Sequence, residues 1–271
     1  MPPAAGLRPD DPVDDGPGRE PKQVGGARVD DETVARAGNL VPEADVREMF
    51  DTIAPVYDRL NTLMTGGRDA AWRRAAVAGA AVGPGDAALD VACGTGRLAA
   101  LLAERVGPFG RVVGVDLSDG MLERARAEYG DIVQLEFQAA NALRLPFVDA
   151  TFDAATIGFG LRNLADFRAG FAELRRVVRP GGRVVCLELT MPRPRAWGRL
   201  FQATFRHLAP IAGRLAGVGG AYRYLPASLD GFPSAEGLAT TMREAGLVGV
   251  GYRRLGLGSV ALHVGTVPRR A

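Results

Sequence analysis

An alternation of strand-like and helix-like segments through the middle of the chain is the feature that most constrains its fold. The apolar run AALDVA (87–92) is followed by RLAALLAERV (97–106), whose apolar residues recur at helical spacing. The same change of pattern repeats up to RVVCLEL (183–189), which follows the turn Pro180-Gly181-Gly182. Strands that alternate with crossover helices lie parallel in one sheet, so the pattern predicts an α/β fold with helices on both faces. The predicted strands are 87–92, 111–116, 133–140, 152–160 and 183–189, and the predicted helices are 97–106, 119–130 and 166–178.

The C-terminal end of this pattern differs from the rest. After a helix predicted at 234–245, the strand-like runs VGVGYRRL (248–255) and SVALHVGTV (259–267) are separated by only a short turn. A parallel crossover needs roughly a dozen residues or more, so these runs predict an antiparallel hairpin. A terminal hairpin after five β/α units is typical of the class I methyltransferase fold, a Rossmann-like doubly wound sheet that is mostly parallel. A dinucleotide-binding dehydrogenase would instead continue its parallel half-sheet.

The N-terminal part of the chain divides at about residue 44. Residues 1–43 are rich in Pro, Gly and Asp and contain no aromatic residue, so they cannot bury enough apolar surface to fold and predict a disordered tail. A tail with a function of its own is the alternative. Residues 45–64 and 69–82 follow as two predicted helices, separated by Gly66-Gly67.

Composition excludes several classes of protein. The formal net charge is +2, so no large positive field attracts nucleic acid. Cys93 and Cys186 form neither a disulfide framework nor a metal-ligand spacing, and no metal site is predicted. The sequence has neither an apolar run long enough to span a membrane nor an N-terminal signal pattern, so we expect a cytoplasmic protein.

The loop in LDVACGTGRLA (89–99) predicts a binding site for a nucleotide-like ligand. Glycines there let the backbone approach a ligand closely. Gly94, Gly96 and Ala99 also fit the dinucleotide pattern G-x-G-x-x-A, and Asp116 lies 20 residues beyond Gly96, where a dehydrogenase keeps its ribose acid. The loop by itself therefore leaves an oxidoreductase and a methyltransferase both open.

Polar residues at three successive strand ends fit S-adenosylmethionine, which carries an amine, a sulfonium and an adenosine but no phosphate. Asp90 would face the amine and sulfonium, Asp116 the ribose hydroxyls and Asn141 the adenine edge. Carboxyl ends of parallel strands share one edge of a sheet, so the three side chains would form one row. The alternatives are a helix-capping or solvated aspartate at Asp90 and a turn asparagine at Asn141.

Motifs spread over residues 45–267 resemble the ubiquinone/menaquinone biosynthesis C-methyltransferase family. The glycine loop and the Pro-Gly-Gly turn occur in many methyltransferases, whereas the Tyr-Asp-x-x-Asn block, Gly-Leu-Arg-Asn and Tyr-Leu-Pro-x-Ser together are more specific to this family. The resembling runs are MFDTIAPVYDRLNTLMTGGRDAAWRR (49–74), LDVACGTG (89–96), IGFGLRNL (157–164), LRRVVRPGGRVVCLEL (174–189), AYRYLPASLDGFP (221–233) and VALHVGTV (260–267). The resemblance implies a methyltransferase domain at 44–268, with a substrate-lid insertion at 192–226.

The resemblance implies that S-adenosylmethionine is the cofactor. The family often has serine at position 158, so a contact from Gly158 would be made by its backbone. With the loop residues and strand-end residues included, the predicted cofactor-binding residues are Asp90, Gly94, Thr95, Gly96, Asp116, Asn141, Ala142 and Gly158.

The resemblance also implies the reaction, C-methylation of a polyprenylated quinol ring. The runs are most like those of members that convert demethylmenaquinol to menaquinol in menaquinone biosynthesis. A methyltransferase of the same fold for another hydroxylated aromatic, such as a specialised metabolite, is the alternative. A non-catalytic scaffold of the same fold is a further class. The predicted substrate-binding residues are Tyr57, Asn61 and Tyr222. Tyr57 and Asn61 would belong to a helix that covers the cofactor, and ordinary helix-packing residues are the alternative for both.

Arg162 and Asn163, in GFGLRN, are the predicted catalytic residues. The attacking ring carbon gains electron density as the neighbouring oxygen approaches a phenolate. A guanidinium stays charged and is a poor base, so Arg162 would stabilise that oxygen, with Asn163 orienting the guanidinium or the ring oxygen. The alternative for Arg162 is a structural ion pair with Asp166, four residues on. His263, in an apolar strand, is predicted to be a core histidine.

Residues 193–216 carry apolar side chains at three- and four-residue spacing, flanked by arginines. They predict either an amphipathic helix packed on the domain or a lid that guides a prenyl chain and contacts an anionic membrane. The runs LELTMP (187–192) and GVGGAY (217–222) depart from the family pattern near the expected acceptor pocket, which leaves the exact acceptor open. The predicted partner is the polyprenylated quinol substrate, and binding of nucleic acid is not expected. Peripheral contact with a membrane and formation of a homo-oligomer are left open.

Overall fold

A seven-stranded sheet with the strand order β3-β2-β1-β4-β5-β7-β6 forms the centre of the protein. The computed structural model describes residues 41–192, 228–229 and 232–269. Strands β1 to β5 are parallel, and β7 runs antiparallel between β5 and β6, so both the predicted α/β sheet and the predicted hairpin are confirmed. The strands are β1 (Ala87–Val91), β2 (Arg111–Asp116), β3 (Leu135–Ala139), β4 (Phe152–Gly158), β5 (Val178–Leu189), β6 (Val248–Leu255) and β7 (Val260–Thr266).

Helices cover both faces of the sheet. Among the described residues they are α1 (Glu43–Ile53), α2 (Tyr57–Thr65), α3 (Asp69–Ala80), α4 (Arg97–Val106), α5 (Asp119–Tyr129), α6 (Phe167–Val177) and α7 (Ala235–Glu244). The apolar faces of α6 and α7, with Phe171 and Leu238, pack on one side of the sheet. Those of α3 and α4, with Val77 and Leu102, pack on the other side. This two-sided burial is what the continuous apolar strand pattern requires.

The N-terminal helices depart from their prediction. The single helix predicted at 45–64 is two helices, because Pro55 has no N–H to continue the ladder of α1. Glu43, assigned to the predicted tail, is the first residue of α1. The helix predicted at 69–82 ends at Ala80, where Ala81 takes a left-handed φ of 53°. Residues 1–40 lie outside the described residues.

The carboxyl ends of the parallel strands lie along one edge of the sheet. β1, β2, β3 and β4 end there, so the four segments that follow them are brought together. α1 and α2 contribute residues to the same region. No helix among the described residues is long and apolar enough to cross a membrane.

Candidate active site

The glycine loop after β1 is fixed by its backbone conformation and by β2. Gly94 and Gly96 have φ values of 56° and 83°, in the left-handed region that favours glycine. A Cβ at Gly96 would lie 2.7 Å from Cζ of Phe137, so only glycine lets the loop pack against β3. The Gly94 N–H donates to Oδ2 of Asp116 at 2.8 Å. The loop is therefore tied to the end of the second strand.

Asp116 lies at the strand end, where the sequence predicts a ribose-binding acid. Its Oδ1 accepts a hydrogen bond from the Ser118 N–H at 3.0 Å, and its Oδ2 accepts the one from Gly94. Burial raises the pKa of Asp116, and these backbone N–H groups partly offset that effect. Each carboxylate oxygen has a second acceptor position, so the side chain suits a ligand with paired hydroxyls.

A cleft of about 650 Å³, here called the cofactor cleft, lies above these strand ends. Its floor comes from the strand-end loops, and its roof comes from α1 and α2. Of the predicted site residues, Gly94, Asp116, Ala142, Gly158, Asn163 and Tyr57 line it. The lining residues are Val46, Arg47, Phe50, Tyr57, Ala92, Gly94, Asp116, Leu117, Ser118, Met121, Ala140, Ala142, Gly158, Phe159, Gly160, Asn163 and Leu164.

Asp90 lies beneath the loop and is not part of the cleft wall. Its side chain is 1% exposed, which contradicts the solvated alternative. Oδ1 accepts a hydrogen bond from Thr156 Oγ1 at 2.6 Å, and Oδ2 makes none with a described residue. Burial raises the pKa of Asp90 to about 7, and the hydrogen bond from Thr156 offsets only part of that effect. The Oδ2 of this buried carboxylate therefore has capacity to interact with a cationic group bound above the glycine loop.

Two other predicted cofactor contacts connect the floor of the cleft to its roof. Thr95 Oγ1 donates to Oδ1 of Asp58, on α2, at 3.0 Å. Asn141 Nδ2 donates to Oε2 of Glu43, on α1, at 3.0 Å. The Asn141 Oδ1 accepts from the Leu143 N–H at 2.8 Å, which is the turn geometry of the alternative interpretation. Thr95, Gly96 and Asn141 do not line the cleft.

Hydrogen bonds and an ion pair connect polar residues of α1, in the roof, to the start of α5. Asp51 Oδ1 accepts hydrogen bonds from Ser118 Oγ at 2.6 Å and from the Gly120 N–H at 2.9 Å. Arg47 Nη2 lies 2.7 Å from Oδ2 of Asp119. Sequence reasoning missed these contacts. The signal for them was the four-residue spacing of Glu43, Arg47 and Asp51, which places them on one helix face.

A second cleft of about 660 Å³, here called the acceptor cleft, adjoins the first. Tyr57 and Phe159 line both clefts, so the two spaces share a wall. Three of the predicted residues, Tyr57, Asn61 and Arg162, come together here. The lining residues are Tyr57, Asn61, Met64, Thr65, Asp69, Trp72, Arg73, Phe159, Arg162, Leu189, Ser259 and Val260.

Arg162 is held by a buried carboxylate that sequence reasoning missed. Its Nη1 lies 2.8 Å from Oε1 of Glu188 and also donates to the Phe159 carbonyl. The predicted alternative, an ion pair with Asp166, is wrong, because Asp166 caps α6 by accepting from the Ala169 N–H at 2.8 Å. The signal was Glu188 itself, since a carboxylate within the apolar run of β5 requires a partner.

A second buried ion pair borders the acceptor cleft and was also missed. Arg73 Nη1 donates to Oδ2 of Asp69, one helical turn earlier on α3, and Arg97 Nη1 lies 3.1 Å from the same oxygen. The Arg73 guanidinium carbon lies 5.6 Å from the centroid of the Phe159 ring. Both acceptor-cleft arginines therefore contact Phe159, one through its ring and the other through its carbonyl.

Burial favours the neutral forms of both Tyr57 and His263. Burial raises the pKa of Tyr57, although the nearby Arg162 and Arg73 guanidiniums act in the opposite direction. Burial lowers the pKa of His263 to about 4, and its Nε2 lies 2.8 Å from the Ala235 carbonyl oxygen. His263 is thus the core histidine that the sequence predicts. Tyr222 and residues 193–216 lie outside the described residues.

Sequence comparison finds relatives that match most of this chain. A sequence model of the ubiE/COQ5 methyltransferase family matches residues 39–267. A demethylmenaquinone methyltransferase from Symbiobacterium thermophilum is 44% identical, over 84% of this chain and 94% of the relative. One from Thermus thermophilus is 45% identical, over 81% of this chain and 100% of the relative.

Solved structures agree on the fold. A SAM-dependent methyltransferase from Aquifex aeolicus superposes with a TM-score of 0.51 at 18% identity, covering 68% of this chain and 84% of its own. The [4+2]-cyclase SpnF superposes with a TM-score of 0.61 at 17% identity, covering 87% of this chain and 100% of its own. With the sheet order, these likenesses show the class I methyltransferase fold. Because one of the two is a cyclase, fold alone does not determine the reaction.

Proposed function

This chain belongs to the ubiE/COQ5 methyltransferase family, and from that premise we propose that it methylates a ring carbon of demethylmenaquinol with S-adenosylmethionine to form menaquinol. The observation that carries the proposal is the pair of adjoining clefts with a shared wall at Tyr57 and Phe159. One cleft has acceptors for a nucleoside, and the other has a cation beside apolar side chains. A methyl donor and an aromatic acceptor would then meet at the shared wall.

The cofactor cleft has the groups that S-adenosylmethionine requires. Asp116 would hold the ribose hydroxyls, the backbone around Gly94 and Gly158 would lie against the ligand, and Ala140 and Ala142 would flank the adenine. Asp90 would supply negative charge beneath the loop, because the cationic amine and sulfonium would favour the ionised form of a carboxyl whose pKa burial raises to about 7. When bound, the cofactor supplies an electrophilic methyl group on a positively charged sulfur. Phe50 and Tyr57 in the roof would keep water from it.

The acceptor cleft suits a ring that must become more phenolate-like as it reacts. Arg162 carries a permanent charge, and Glu188 fixes its guanidinium in one place. We assign to Arg162 the electrostatic stabilisation of the oxygen beside the attacking carbon. Removing one fixed donor that stabilises developing negative charge typically lowers kcat by about 10²–10³-fold. Asn163, on the wall of the cofactor cleft, would help to orient the ring oxygen.

The remaining wall of the acceptor cleft is largely apolar. Met64, Trp72, Leu189 and Val260 supply that surface. A mainly apolar surface with polar groups at separate positions favours an apolar aromatic ligand over a sugar or a peptide. This composition supports a prenylated ring as the acceptor.

Single-turnover methylation of a reduced short-chain demethylmenaquinone by the full chain tests the proposal. We expect stoichiometric transfer to the ring carbon, and calorimetry should show binding of S-adenosylmethionine but not of NAD. Transfer to another hydroxylated aromatic, with no transfer to demethylmenaquinol, would favour the alternative acceptor. Binding of the cofactor without any transfer would support a scaffold protein.

Contact with a membrane is a separate part of the proposal. We propose a cytoplasmic enzyme that reaches its lipid substrate through peripheral contact of residues 193–216 with an anionic bilayer. The arginines and apolar residues of that segment support this assignment. Co-sedimentation with anionic vesicles should exceed that with neutral vesicles and should fall as salt rises, because exposed charges are screened over about 10 Å at 0.1 M. Equal binding to both vesicle types would contradict the electrostatic part.

A further inference from the structure

The acceptor cleft contains a second arginine that the proposed reaction does not use. Arg73 comes from α3 and Arg162 from the turn after β4, yet both line this cleft and both contact Phe159. Two elements that are distant in sequence thus bring two guanidiniums to one small space. A single phenolate oxygen needs only one of them.

Each of these arginines is paired with its own buried carboxylate. Asp69 accepts from Arg73, and Glu188 accepts from Arg162; all four side chains are buried or nearly so. Taking charged groups out of water opposes folding, and apolar side chains of similar size would often be as stable. The pairing holds two like charges near each other at fixed positions. Such an arrangement is better explained by recognition of a ligand than by stability.

Tyr57 lines the same cleft as both arginines, so its phenol lies in the electrostatic field of the two guanidiniums. Its phenol lies on the wall between the clefts, and both arginines favour its ionised form. Burial opposes them in Tyr57 itself. An acceptor ring placed in the cleft would bring its hydroxyl groups within reach of the same two cations.

We propose that Arg73 and Arg162 bind the two para oxygens of the acceptor ring, so that the cleft selects a 1,4-dihydroxy aromatic. This inference rests on the proposed function. Arg162 serves the oxygen beside the attacking carbon, because its chain neighbours Phe159, Gly160 and Asn163 also line the cofactor cleft. Neither guanidinium lines the cofactor cleft, but Arg73 belongs to α3, which contributes no residue to that cleft, so Arg73 binds the remote oxygen.

The two arginines would then have different roles in the reaction. The remote oxygen is para to the activating oxygen, and therefore meta to the attacking carbon, so it cannot pass electron density to that carbon. Binding of that oxygen is equal in the ground state and the transition state, so Arg73 sets affinity and substrate choice. Arg73 neither gives nor takes a proton, because a guanidinium stays charged. Arg162 instead acts on the rate of transfer.

Comparison of two substrates tests this division. The first is a reduced short-chain demethylmenaquinone, and the second is its monohydroxy analogue, which keeps the hydroxyl beside the reacting carbon and has hydrogen in place of the remote one. For the wild-type chain we expect kcat/KM to favour the dihydroxy substrate by about 10- to 100-fold, as for loss of a hydrogen bond to a charged group. In Arg73→Gln this preference should fall to within about threefold, mainly through KM for the dihydroxy substrate.

Matched controls separate recognition from stability. Arg74→Gln alters a neighbour on the same helix that does not line the acceptor cleft, and it should keep the wild-type preference. Arg73→Lys keeps a cation beside Asp69 but lacks the planar guanidinium, so it should keep part of the preference for the dihydroxy substrate. A purely structural role for Arg73 would lower kcat/KM for both substrates by the same factor and leave their ratio unchanged.

The outcomes also distinguish the inference from the proposed function. A wild-type chain that methylates both substrates equally would overturn the inference without any variant having to fold. An unchanged preference in Arg73→Gln would overturn it as well. Failure of the wild-type chain to methylate either ring would instead refute the proposed function.

Discussion

Replacing Asp90 with asparagine should make the stability of the cofactor-free protein less dependent on pH. Burial raises the pKa of Asp90 from 3.8 to about 7. A folded-state pKa above the unfolded value gives stability that is greatest at low pH and is lost as pH rises through the folded pKa. With these two values, ionisation of Asp90 lowers the free energy of unfolding by about 2 kcal/mol between pH 5.5 and pH 8. The introduced amide would not ionise, so this loss should disappear.

The measurement is urea unfolding of the wild-type chain and Asp90→Asn at the two pH values. The free energy of unfolding of the variant minus that of the wild-type chain should become more positive by about 2 kcal/mol at pH 8. Any fixed penalty for burying the amide cancels in this comparison. Asp131→Asn, at an exposed side chain, is the control for removing one charge and should show a much smaller change. A stability difference for Asp90→Asn that is the same at both pH values would refute the reasoning.

Four further predictions concern the site and the chain around it. Asp116→Ala should weaken S-adenosylmethionine binding by about 10- to 100-fold in calorimetry, because hydrogen bonds to a charged group are lost; unchanged affinity in a folded variant would contradict the ribose assignment. Arg162→Ala should lower the single-turnover rate constant of methyl transfer with little change in cofactor affinity, and Arg162→Lys should retain only part of the wild-type rate; a large loss of cofactor affinity would instead move Arg162 to the cofactor site. His263→Gln should make the free energy of unfolding less sensitive to acid. Because burial lowers the pKa of His263 to about 4, the wild-type chain should lose about 2 kcal/mol of stability between pH 6.5 and pH 4.5 that the variant keeps. Urea unfolding at the two pH values measures this difference. Deletion of residues 1–40, which keeps Glu43 and its contact with Asn141, should leave turnover nearly unchanged, and a loss of most turnover would give the tail a function.

Local pattern was enough to predict the sheet and the floor of the cofactor cleft. Apolar periodicity indicated the strands, and the short turn before residue 259 required the hairpin between β6 and β7. Gly94 and Asp116 follow from the same pattern, because a loop glycine and a strand-end acid are fixed by position along the chain. These features depend on neighbours in sequence or on the common edge of a parallel sheet.

The partners of the site residues were not predictable in the same way. Arg162 pairs with Glu188, 26 residues away, although Asp166 stood at helical spacing. Asn141 bonds to Glu43, which is 98 residues distant. Several carboxylates in the sequence could pair with each of these side chains, and only the three-dimensional packing determines which one does. The break at Pro55 is visible in the sequence, but the apolar spacing continues across it and favoured a single helix.

The position of β7 has a consequence for synthesis of the chain. β7 is the last strand in sequence but lies between β5 and β6, and it pairs with β5 over Arg183–Leu189. On the ribosome, the part of the sheet that carries the glycine loop can therefore assemble before β7 emerges, whereas Val260 of the acceptor cleft arrives only with that strand. Until then β5 presents an unpaired apolar edge, which is a hazard for aggregation. A nascent chain would thus have the residues of its cofactor cleft before its acceptor cleft is complete. Between these two stages the edge of β5 is exposed, and a chaperone would be most useful then.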